Sequence, residues 1–187
     1  MLTTNISERL LSGNGAALVL AAALVLAGPV TTCRGQGAAE DAAKFNDAIT
    51  ASKSKLFAAG TAYGTKVGAA VGRGKADDIA QLKVAYVDAL LVVRKLRADW
   101  KAIKVPDSRT GKDLHAAFDR FLHRQEVSMQ ADGLELIRIT EDKTLTKDQK
   151  KTRLIQIIEH NDKKEKEAEA ELNKVRQAFA KEHNLKP

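Results

Sequence analysis

Residues Asp77 to Ile103 read DDIAQLKVAYVDALLVVRKLRADWKAI. Their apolar positions Ile79, Leu82, Tyr86, Ala89, Val93, Leu96, Trp100 and Ile103 alternate spacings of three and four without a break. That rhythm keeps one narrow apolar stripe on one side of an α-helix, whereas a half-buried strand alternates with period two. Asp77 and Asp78 stand where carboxylates complement the positive end of the helix dipole. Pro106, which has no backbone N–H, follows where the helix has to end.

The same seam recurs on both sides of this stretch. Phe45, Ile49, Ser52, Leu56, Ala59, Tyr63, Lys66 and Ala70 form a weaker version before it. Leu114, Phe118, Phe121, Gln125, Ser128, Asp132, Leu136 and Ile139 form a third, and Leu154, Ile158, Asn161, Glu165, Ala168, Leu172, Val175 and Phe179 a fourth. The intervening stretches Gly72–Lys75, Pro106–Gly111 and Asp142–Leu145 carry turn chemistry. Helices are therefore predicted at 40–72, 77–105, 111–141 and 146–184. Short connections force neighbouring helices to run antiparallel, which predicts an all-α, up-down-up-down four-helix bundle. Aromatic residues make up 4% of the chain, and no strand-like alternation occurs, so a β-sandwich is excluded as the economical reading.

Ahead of the bundle, Ala16 to Ala27 is an unbroken apolar run, followed by Gly28-Pro29 and by the sole cysteine, Cys33. A dozen apolar residues fall short of the about 20 that a bilayer span needs, and match the h-region of a secretory signal. Residues 1–32 are predicted to be a cleavable export segment, 33–39 a flexible tether and 40–187 the bundle. Val30-Thr31-Thr32-Cys33 resembles a bacterial lipobox, which implies cleavage before Cys33 and attachment of lipid to it. The alternative is cleavage after the small residues Gly37-Ala38-Ala39, leaving a soluble exported chain. A single cysteine makes no internal disulfide, and lipidation gives Cys33 a use.

The formal charge is +7, and since Glu8 and Arg9 cancel, it belongs to the part after residue 32. Arg94, Arg97, Lys101 and Lys104 form a basic flank beside Val93, Leu96 and Trp100, a candidate contact for a protein partner or an anionic envelope polymer. Long cationic side chains also flank apolar seams simply to keep their charges in water. From Glu141 onward 12 Lys and Arg face 10 Asp and Glu, so the last helix is a mixed-charge face, and no specific nucleic-acid binding is expected.

Gly60, Gly64, Gly68 and Gly72 recur at every fourth position, each costing a helix about 0.8–1 kcal/mol relative to Ala. Gln125 and Asn161, with Asp132 and Glu165 nearby, interrupt the third and fourth seams at one level and predict a polar layer that sets register. His123, Glu126, Glu159 and His160 fall at the same level, but His160 points about 120° from the seam at 100° per residue. His115, Asp119 and His123 share one helix face, the best remaining candidate for an adventitious metal.

Leu145-Thr146-Lys147-Asp148-Gln149 resembles the LTxxQ motif of a family of small all-helical periplasmic chaperones, and the resemblance implies a holdase-like role. Thr146 and Gln149 are also spaced as a plain capping box. The chain has no glycine-rich phosphate loop, cysteine pair, haem-attachment motif or serine elbow. The sequence thus predicts a non-enzymatic, cofactor-free helical bundle, exported to the bacterial envelope, membrane-attached through Cys33 and serving a binding or structural role. A periplasmic chaperone and a metal-binding bundle are the alternatives.

Overall fold

The computed structural model describes residues 36–185. The export segment and Cys33 lie outside them. Four helices, α1 (Gln36–Arg73), α2 (Ala76–Lys101), α3 (Arg109–Glu141) and α4 (Lys147–Glu182), account for 89% of the described residues, and these contain no strand. The chain is a helical bundle.

Each helix end has a local cause. Residues 36–39, expected as tether, already belong to α1: Ala38 and Ala39 favour helix, and Glu40 pairs with Lys44 one turn on. Between α1 and α2, Gly74 has φ +65°, a left-handed conformation that costs glycine little, and its N–H bonds to the Ala70 carbonyl at 2.9 Å. α2 stops at Lys101, four residues before the expected end at 105. Ala102 and Ile103 close tight turns onto Asp99 and Trp100, and Pro106 keeps Val105 out of the helical region. α3 starts earlier than residue 111, at Arg109, because Ser108 is its cap: Ser108 Oγ accepts from the Gly111 N–H at 2.9 Å. A Cβ on Gly111 would lie 2.8 Å from the Pro106 carbonyl oxygen, so the turn closes only around glycine. Thr146 and Gln149 form the complete capping box at the start of α4. At its end Asn184, φ 52°, reverses the chain so that the Leu185 N–H bonds to Ala180 at 2.8 Å.

The helices alternate in direction, as the core shows. One apolar cluster joins Phe45 and Ile49, near the start of α1, to Leu96 and Trp100 at the end of α2, Phe118 near the start of α3 and Phe179 at the end of α4. The other joins Tyr63 and Val67, Leu82 and Tyr86, Leu136 and Ile137, and Leu154, all at the opposite ends of the same helices. Consecutive helices pack extensively, whereas α1 meets α4 much less. That wall is bridged by polar groups: Arg176 donates to Asn46 Oδ1 and Thr50 Oγ1 at 2.7 Å, and Lys53 pairs with Glu169 at 2.6 Å.

Between the two clusters, α3 buries no apolar side chain after Leu122 and before Leu136, nor α4 after Leu154 and before Ala168. Gln125, Asn161, Asp132 and Glu165 occupy this band, with Ser128 Oγ donating to Asp132 at 3.0 Å. Only α2 carries buried apolar residues at every turn through it: Leu82, Tyr86, Ala89, Val93, Leu96 and Trp100.

The glycines differ in what surrounds them. A Cβ on Gly60 meets nothing within 4 Å, so that member of the repeat provides no close approach. On Gly133, which the repeat does not include, a Cβ would lie 2.9 Å from Tyr86 Cε2 and 3.0 Å from Met129 Sδ. Tyr63 crosses to the same point and donates its hydroxyl to the Gly133 carbonyl at 3.0 Å; burial pushes the phenol pKa upward. Gly60→Ala is therefore expected to stabilise the protein by about 0.8–1 kcal/mol. Gly133→Ala is expected to destabilise it by about 1–3 kcal/mol, because the ring it strikes is itself packed. Urea denaturation of the two variants measures the difference in sign.

Candidate functional site

The basic flank of α2 is not an open ridge. Arg94 Nε lies 3.0 Å from Glu126 Oε1, and Arg97 reaches both Asp119 Oδ1 at 3.2 Å and Glu126 Oε2 at 3.1 Å. Lys104 pairs with Asp41 at the foot of α1, at 2.8 Å. Three of the four cations are thus engaged by carboxylates of neighbouring helices, and Lys101 stays exposed. Burial acts to raise the Glu126 pKa, but the hydrogen bonds from Arg94 and Arg97 outweigh it and hold the carboxyl below its ordinary value. The bonds that Arg97 donates to Asp119 and Glu126 raise its own pKa in turn. The arrangement ties α2 to α3.

The histidines are dispersed among separate duties. His115 stacks on Trp100, centroids 5.3 Å apart, and its Nε2 lies 3.1 Å from the Trp100 carbonyl. Asp119, one turn on, is held by Arg97, while His123 and His160 face solvent. Among the described residues no three His, Cys, Asp or Glu side chains converge as a metal site. His183 Nε2 lies 3.2 Å from Ser108 Oγ, but that oxygen already caps α3, and Glu182 bonds to Thr110 rather than to the imidazole. The contact fastens the end of α4 to the start of α3. A shallow groove of about 420 Å³ between α3 and α4 is lined by residues including Asp132, Glu135, Arg153 and His160. Its opposed charges give it no single preference of ligand.

The LTxxQ-like stretch is occupied locally. The Thr146 N–H donates to Gln149 Oε1 at 2.8 Å, and the Gln149 N–H donates back to Thr146 Oγ1 at 3.3 Å. Both polar residues of the motif are spent on the helix start.

A second apolar stripe lies outside the four seams. Val84, Val87 and Leu91 on α2, with Val127 and Leu134 on α3, remain exposed. Their spacings of three, four and seven are also helical, but offset from the seam, and that offset was the available signal.

Two changes on the basic flank separate structural from free charge. Arg97→Glu is expected to lower Tm, since it places a third carboxylate beside Asp119 and Glu126, whereas Lys101→Glu is expected to leave Tm within a degree or two, as exposed changes usually do. Thermal unfolding followed by circular dichroism compares them.

The polar band gives a pH signature. Desolvation, then the like charges of Glu169 and Asp162, raise the Glu165 pKa, with Lys53 opposing. Since the folded pKa lies above the unfolded value, ionised Glu165 disfavours the fold at neutral pH, and the penalty disappears as pH falls through the folded pKa. Glu165 keeps much of its surface in solvent, so the effect is below about 1 kcal/mol. Glu165→Gln should raise Tm at pH 7, with the gain shrinking toward about pH 4, where the carboxyl protonates in both states.

No protein-family model matches this sequence, and no curated protein or solved structure matches it, so its residues and their geometry carry the functional reading.

Proposed function

We propose that the protein is an exported, lipid-anchored component of the bacterial cell envelope, an up-down-up-down bundle that acts by binding or support and not by catalysis. The observation that carries this reading is the order apolar run, Gly28-Pro29, Cys33, standing immediately ahead of α1. With α1 beginning at Gln36, a lipid on Cys33 holds the bundle within three residues of the membrane surface. No helix among the described residues is long and apolar enough to cross a membrane. At 1.5 Å per residue, the 38-residue α1 carries the opposite end of the bundle about 57 Å away, a reach that serves contact with a partner in the envelope.

The anchor is tested by expressing the chain in a bacterium supplied with labelled fatty acid. Wild type should incorporate label and Cys33→Ala should not. Equal labelling of the two, or a mature amino terminus at Glu40, overturns the proposal in favour of ordinary cleavage.

A further inference from the structure

Among the described residues, five of the six exposed large apolar side chains share one face of the bundle. Val84, Val87 and Leu91 on α2 are 61, 50 and 56% exposed, and Val127 and Leu134 on α3 are 48 and 40% exposed. At 100° per residue the α2 trio lies about 140–200° from Leu82, on the side away from the core. Cross-helix ion pairs fix the relative level of the two stripes: Lys83 meets Glu141 and Arg94 meets Glu126. The α2 stripe, between Lys83 and Arg94, thus runs beside the α3 stripe, between Glu126 and Glu141, as one patch spanning both helices.

We propose that this face associates with the same face of a second copy of the chain, the α2–α3 layer against the α2–α3 layer about a two-fold axis. The charges argue for a copy over a charged partner. Two chains of +7 repel, so they approach best where cations are locally neutralised. Here Lys83, Arg94 and Lys95 are all closed onto carboxylates, the last onto Asp99 of its own helix. An isologous contact sets the same patch against itself, residue i meeting j and j meeting i, and a rim of closed ion pairs keeps like charges from facing each other uncompensated.

The size of the face sets the strength. From Ala80 to Ala98, both exposed, α2 runs about 27 Å; two helices side by side are about 20 Å wide, giving roughly 540 Å² per copy. That is less than the about 800 Å² per partner of stable complexes, so the dimer is weak and concentration-dependent. The contact goes beyond the envelope reading and holds whether or not Cys33 carries lipid.

Sedimentation velocity of the purified full chain, from micromolar to millimolar concentration, should show a monomer–dimer equilibrium. Added salt should strengthen it by screening the repulsion between copies over about 8 Å, whereas binding of an anionic partner would weaken with salt. Val87→Glu combined with Leu91→Glu should leave a monomer with unchanged helical circular dichroism, and Leu134→Glu should do the same from α3. A monomer at millimolar concentration overturns the proposal, as does a dimer indifferent to all three glutamate substitutions. Binding of detergent micelles or uncharged vesicles by a monomer, lost in the double variant, would assign the face to lipid instead and also overturn it.

Discussion

Trp100 is the point at which the four helices become one structure. Its ring packs edge-on to Phe118, 4.7 Å away between centroids, lies 4.9 Å from Phe45 and stacks on His115. Phe45 in turn meets Phe179 at 5.7 Å, so one aromatic chain passes through α2, α3, α1 and α4. A buried indole N–H must find an acceptor, and here it donates to the His115 carbonyl at 3.0 Å. That bond and its reciprocal, His115 Nε2 to the Trp100 carbonyl, set the level of α2 against α3. The turn closing around Gly111 must then reverse the chain within seven residues.

Away from that cluster the structure is held differently. The second cluster is smaller in side chains and centres on Tyr63, Tyr86 and Gly133, where a missing Cβ lets a ring lie against the α3 backbone. Between the two, α3 and α4 meet through polar residues, and Asn161 Oδ1 is buried without a hydrogen-bond partner among the described residues. An unsatisfied buried oxygen costs about 1–3 kcal/mol, a penalty an all-apolar layer would avoid. The α1–α4 wall, bridged by Arg176 and Lys53, is the thinnest of the contacts between helices adjacent around the bundle.

The distribution of charge follows from the same packing. A chain of +7 with 24 acidic residues places cations of α2 beside carboxylates of α3 and α1, so the flank that looks like a basic ridge along one helix becomes a set of interhelical pairs. Alongside those paired charges and the exposed Lys101, the α2–α3 layer leaves an apolar stripe uncovered. Since function at a surface depends on what remains unsatisfied there, that inversion moves attention from Arg94 and Arg97 to Val87 and Leu91.

The sequence by itself determined the helices and their seams. The unbroken alternation from Ile79 to Trp100 marks the helix that is buried at every turn, and the interruptions at Gln125, Asp132, Asn161 and Glu165 mark where the core divides, because burial of one face imposes a helical period on the residues themselves. It also determined the cap at Thr146, whose hydrogen bonds close within three residues, whereas Ser108, read as part of the turn, caps α3 two residues ahead of the expected start. Only the tertiary structure decided which cations are free and which glycine matters. Arg97 finds Asp119 and Glu126 across an interface, and Gly133 meets Tyr86 from another helix, contacts between residues 22 or more apart that no local pattern encodes. The exposed stripe belongs to the same class: its helical spacing is written in the chain, but packing alone decides which of two apolar stripes on α2 turns inward.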